Sequence, residues 1–211
     1  MKHVPRLVLP AIFAAALACG DDETGPVRVI PVPPDEKSVV LQDMELAYNQ
    51  RNISRYDARL DENFVFHPAA RDVGGSIPAS WDRMTEIAAH IHLFTKDPPP
   101  PPPIPRCKSI LLDIRWENQT AWVEVTPSAA PDETWYTTTV FYDFAIDVEP
   151  DITFLSNPGS KAQFTVRNAG TPAEPSWRLV EMTDLGAGSA AQATAASVEP
   201  VTWGAVKAMY R

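Results

Sequence analysis

SVVLQDMELAYNQRNISRYDARLDENFVFHP, residues 38–68, decides the fold. Val40, Met44, Ala47 and Tyr48 recur at i, i+4, i+7 and i+8, so a first helix carries them on one apolar face. Asn52 is placed to cap a short second helix, in which Ile53, Tyr56 and Leu60 keep helical spacing. Asp61-Glu62-Asn63 ends it. Phe64-Val65-Phe66 has the aromatic and β-branched make-up of a strand, which turns at His67-Pro68. An apolar helix face followed by a strand needs a sheet to cover it, and the second half of the chain supplies one.

Downstream, residues 69–79 read as a loop containing Gly74-Gly75, and Ser80 as the cap of a third helix over residues 81–94. Trp81, Met84, Ile87, Ala88, Ile91 and Phe94 form its expected inner face. His90 and His92 sit in it at i and i+2, which on a helix point roughly 200° apart. They cannot share a metal ion there, and no metal site or cofactor is expected. Six prolines, residues 98–103, form a rigid spacer. Strands follow at residues 108–116 (Ile110, Leu112, Ile114 and Trp116 on one face) and 120–126, then a long one at 135–148. Residues 152–159 read as an irregular connection, with further strands at 161–168 and 176–183. Residues 185–200 read as an Ala/Ser/Gly linker. Residues 201–211 form a short helix capped by Thr202, with Trp203, Val206 and Tyr210 on the side that docks back on the domain or onto a partner.

Upstream, residues 1–18 open with Lys2 and Arg6 and continue as the apolar run LVLPAIFAAALA, too short to span a bilayer as a helix. Ala16-Leu17-Ala18-Cys19 resembles a bacterial lipobox, although Ala16 stands where Leu is commonest. The resemblance implies lipidation at Cys19 and a bacterial lipoprotein anchored in the cell envelope on the extracytoplasmic side, with residues 19–34 as a flexible tether. After that modification Cys107 alone remains, so no internal disulfide is available. Of 211 residues 22 are proline, which implies long stiffened loops. A net charge of −9 with no basic stripe excludes nucleic acid as a partner.

Three helices followed by strands over residues 35–184 make an α+β chain. That order, with the opening AYNQRNISRYDARLDENFVFHP and the closing Trp177-Arg178-Leu179-Val180-Glu181-Met182-Thr183-Asp184, resembles the nuclear transport factor 2-like (NTF2-like, SnoaL-like) superfamily. The resemblance implies a cone of N-terminal helices packed on a curved antiparallel sheet. Some members bind small apolar molecules and others are lyases or isomerases; fold alone does not choose between them.

Candidate ligand-pocket residues are Tyr48, Phe64, Phe66, Trp81, Trp116 and Tyr142, and the bland alternative is that they simply fill the cone. Catalytic candidates are His67 and Tyr48, with Tyr56 behind them. Asp113, Asp143 and Asp147 oppose the apolar faces of their strands and are expected to face water. The reading is a non-catalytic envelope lipoprotein that binds a small apolar ligand or another envelope protein. The alternative is a lyase or isomerase acting on a small apolar substrate in the cone. A homodimer through the sheet face around Trp122, Trp135 and Phe141 is a further expectation.

Overall fold

The structure, a computed structural model, describes residues 35–96, 104–128, 130–187 and 198–211, with the backbone alone at 198–200. The expected signal segment at 1–18, Cys19, the expected tether at 19–34 and the six prolines at 98–103 lie outside the described residues. Helix α1 (Val39–Gln50) buries Val40, Leu41, Met44, Ala47 and Tyr48, as its spacing predicts. Each large apolar side chain among them contributes about 1.5–3 kcal/mol by leaving water. The Asn49 side chain then grips strand β3 (Cys107–Arg115), accepting from Leu112 N at 2.8 Å and donating to Leu112 O at 2.9 Å. Arg51 ends α1 in the left-handed region at φ 54°, an uncommon setting for a residue with a side chain. Its guanidinium offsets that cost by donating to Leu93 O, Thr95 O, Cys107 O and Lys108 O, tying the helix layer to the start of β3.

Helix α2 (Ile53–Asp57) is capped by Asn52, whose side chain accepts from Arg55 N at 3.0 Å. Strand β1 (Leu60–His67) follows. Trp81–Asp82 is a short strand, β2, paired antiparallel with β1. Helix α3 is therefore Arg83–Phe94, capped by Asp82 rather than Ser80. Its inner face is also corrected: Glu86, Ala89, His90, Leu93 and Phe94 are buried, whereas Met84 is 80% exposed and Ile91 47%. Hydrophobic spacing pointed to the other flank. The observed face wins because the polar groups it buries find partners inside the domain.

The sheet is built on β5 (Trp135–Val148), whose inward residues Val140, Tyr142, Phe144, Ile146 and Val148 are buried. Beyond β3, a 3₁₀ turn at Trp116–Asn118 leads to β4 (Val123–Val125), and both strands pair with β5. β4 is shorter than the spacing suggests and exposed, so Val123 packs on nothing inside. Residues expected to be irregular form β6 (Ile152–Ser156), a hairpin partner of the end of β5. Then come β7 (Ser160–Asn168) and β8 (Trp177–Ala187). Strand β8 runs into the expected linker, which also contributes β9 (Val198–Val201), parallel to β6; residues 188–197 lie outside the described ones.

The strand order is β2-β1-β8-β7-β5-β6-β9, with β3 and β4 on the other side of β5. The sheet is mostly antiparallel but mixed, because β1 lies parallel to β8 and β9 to β6. Register shifts within β1·β8 and β7·β8 bend it around the helices. Helix α4 (Trp203–Met209), capped by Thr202 through a 3.0 Å bond from Ala205 N, docks on α3 and β8 of its own domain.

Candidate functional site

The interior of the cone is occupied. Trp203 of α4 is fully buried, edge-on to Tyr142 at 4.9 Å and to Tyr48 at 5.3 Å, and stacked on Phe144 at 5.9 Å. Gly204 lets the helix reach this depth, since a Cβ there would stand 2.7 Å from Pro68 Cβ. Of the candidate pocket residues, Tyr48, Phe64, Phe66, Trp81 and Tyr142 converge as core, none more than 5% exposed. Trp116 is half-buried and packs against that core, donating its Nε1 proton to Glu45 at 3.2 Å.

Below the aromatic layer lies a polar cluster that spacing alone did not reveal. Glu86 accepts three hydrogen bonds: from Tyr56 OH at 2.5 Å and Lys207 Nζ at 2.5 Å on Oε1, and from Trp81 Nε1 at 2.6 Å on Oε2. Two donors on Oε1, one of them the Lys207 ammonium, and a third on Oε2 suit the ionised carboxylate, which only accepts. Burial pushes this carboxyl up, but the Lys207 ammonium outweighs it and holds Glu86 below the ordinary carboxylate value. Burial pulls the Lys207 ammonium down, opposed by the same carboxylate. The Lys207 ammonium also lies 3.7 Å from the Phe66 ring centroid and 3.7 Å from Met182 Sδ.

A second chain of bonds runs beside the first. Trp203 Nε1 donates to Tyr48 OH at 2.6 Å. Tyr48 OH and His90 Nε2 are 2.5 Å apart, and His90 Nδ1 is 2.8 Å from Glu86 O. A carbonyl only accepts, so Nδ1 carries the proton and Nε2 accepts from Tyr48. Burial lowers the His90 pKa to about 4, leaving a neutral imidazole. Both phenols are pushed well above their ordinary value, by burial first and then by the Glu86 charge. A third group, Asp184, accepts from Tyr142 OH at 3.2 Å and from Gly186 N and Gly204 N, each at 2.9 Å, and burial raises its carboxyl.

His67 is not part of this cluster. Its side chain is 38% exposed, with Nε2 3.5 Å from Glu181 Oε1 on the adjacent strand. Asp143 and Asp147 engage Arg115, Ser109 and Thr153 on the outer face, and Asp113 lies near Arg115. His92 faces away from His90 and is 2.9 Å from Tyr210 O through Nδ1. Among the described residues no group of three or more His, Cys, Asp or Glu side chains is placed to hold a metal ion. Cys107 is buried and its thiol pushed up to about 11, chiefly by burial, which makes it a poor nucleophile. A surface cleft of about 880 Å³ lies outside the cone, where Arg167 is clamped by Asp61 and Glu133 and Arg83 pairs with Asp57.

Sequence spacing missed Glu86, Lys207 and Asp184, and it placed Trp203 on the docking side of the last helix without its partner Tyr48. The available signal was reciprocal: Glu86 and His90 are spaced i, i+4 on α3, and Trp203 and Lys207 likewise on α4. Buried Tyr48 and Tyr56 hydroxyls need partners, and those two pairs are what supplies them.

Element order, helix packing and the curled sheet define an NTF2-like α+β cone. No family model and no curated protein matches the chain. Similar solved structures include an NTF2-like protein of unknown function in nutrient uptake from Rhodospirillum rubrum, 9% identical with a TM-score of 0.44, the match covering 71% of this chain and 96% of that one. An NTF2-like superfamily protein from Salmonella enterica is 7% identical with a TM-score of 0.46, covering 73% and 90%. A protein with a cystatin-like fold from Caulobacter vibrioides is 13% identical with a TM-score of 0.39, covering 72% and 87%.

Proposed function

We propose that the chain is a lipid-anchored, extracytoplasmic envelope protein whose cone is a binding module rather than a catalytic one, held closed by α4. One observation carries the non-catalytic part. Glu86, His90 and Asp184, the groups in the cone suited to moving a proton, are buried and spend their polar atoms on other protein groups. A lyase or isomerase needs a base in reach of its substrate; when α4 withdraws, His90 still has both ring nitrogens bonded to Tyr48 and Glu86 O, and Glu86 still accepts from Tyr56 and Trp81. A ligand enters where Trp203 and Lys207 now sit. The anchor reading rests on the lipobox-like residues before Cys19; the described residues contain no helix long and apolar enough to cross a membrane. The outer sheet face, where Leu111 and Leu155 stand exposed on either side of Ala145, supports pairing with a second copy.

Native mass spectrometry of the detergent-extracted protein from cells that make it tests the binding reading. A co-purifying small molecule released on denaturation supports it. A bare mass, in monomer and dimer alike, overturns it. Replacing Cys19 with Ser is expected to move the protein from the membrane pellet to the soluble fraction, and unchanged pelleting refutes the anchor.

A further inference from the structure

Of the side chains that helix α4 buries, Trp203 and Lys207 carry polar groups into the cone, and their chemistry describes what the cone prefers. Trp203 supplies a planar ring with one N–H donor, and Lys207 supplies a primary ammonium. The ammonium stands 5.3 Å from the Trp203 ring centroid. A two-carbon tether between an aromatic ring and an amine spans about that distance at ordinary bond lengths. We infer that the cone floor is a binding site for an arylalkylamine, with α4 acting as the resident mimic of that ligand. The inference rests on the binding-module reading and names its ligand class.

Each part of such a molecule has a partner in place. The ammonium meets the Glu86 carboxylate, already polarised by Tyr56 and Trp81, with the Phe66 ring face on another side. The ring enters the slot between Tyr48, Tyr142 and Phe144. An indole N–H replaces Trp203 Nε1 on Tyr48 OH. Lys207 is the one buried cation among the described residues, so its withdrawal leaves the Glu86 charge for an incoming cation. Stability alone does not account for the ion pair. Apolar residues of similar volume often serve as well or better in a core. A charged floor does something an apolar one cannot: it accepts water when the helix leaves and selects a cation when a ligand arrives. A helix of seven residues does not persist unaided, so its place depends on tertiary contacts, these among them.

The test is amide hydrogen exchange on the full-length protein in detergent, with tryptamine or its neutral analogue tryptophol at equal millimolar concentration. A ligand that binds only the open cone raises the open population in proportion to its occupancy. Exchange across residues 203–209 is expected to quicken about tenfold or more with tryptamine and little with tryptophol. Glu86→Gln is expected to remove the difference. Unchanged exchange with tryptamine, or equal acceleration by both compounds, overturns the amine class. The variant Trp203→Ala/Lys207→Ala then separates this failure from that of the binding reading. If it folds and binds both compounds alike, the cone binds rings without selecting ammonium; if it folds and binds neither, both readings fall. If it does not fold, the wild-type contrast between tryptamine and tryptophol decides by itself.

Discussion

Lys207→Ala removes the ammonium from a carboxylate that is entirely shut off from water. Breaking one side of a buried pair costs about 3–5 kcal/mol, because the remaining charge stays desolvated. For a domain whose total stability is about 5–15 kcal/mol, that is a large fraction. The sign with pH is distinctive. In the wild type Glu86 is held below its ordinary value of 4.5, so its contribution is fully present above 4.5 and lost as pH falls through the folded pKa. Without Lys207 the Coulombic attraction is gone and burial, the largest influence on the group, raises the carboxyl. The variant therefore keeps its stability below 4.5 and loses it as pH rises. His90, with Nδ1 3.7 Å from Glu86 Oε1, offers a replacement charge on acidification and pushes in the same direction. Urea denaturation of both proteins from pH 5 to pH 8 should show a deficit that widens with pH, and Glu86→Gln/Lys207→Met should recover about 2 kcal/mol or more of it. A deficit under about 1 kcal/mol at pH 7, or one that does not change with pH, refutes a sealed ion pair inside the cone.

Three further outcomes are expected. His90 has a folded pKa of about 4 against an ordinary 6.5, so the unfolded chain takes up a proton first and stability falls as pH drops from 6.5 towards 4. The full effect is about 3 kcal/mol, and His90→Asn should flatten that slope in urea titrations; an unchanged slope refutes the assignment. Gly204→Ala forces α4 away from Pro68 at a cost of about 1–3 kcal/mol, which should speed amide exchange in α4 while leaving β5 and β7 protected. Native Cys107 should resist iodoacetamide at pH 7.5 and react only on unfolding, whereas rapid native labelling refutes its burial.

The helical face of residues 40–48, the Asn52 and Thr202 caps, the strand at 135–148 and the docking of the last helix were legible in the amino-acid order. Each is a local pattern: a period, a cap or an alternation that nearby residues impose on one another. The orientation of α3 was not legible, because its Met84–Ile91 flank is as apolar as the one it buries, and only the ring of partners around Glu86 and His90 decides between them. β6 and β9 were missed for a similar reason. Each is short, and its strand character comes from the edge it pairs with rather than from its own composition. The order of residues dictates a helix–helix–strand opening, a long half-buried strand and a short helix with a docking face. That this helix fills the cone emerges only when the chain is folded, because Lys207 meets Glu86 and Trp203 meets Tyr48 across 121 and 155 residues of chain. Periodicity carries no information about such pairs; the energetic cost of leaving buried polar groups unpaired brings them together.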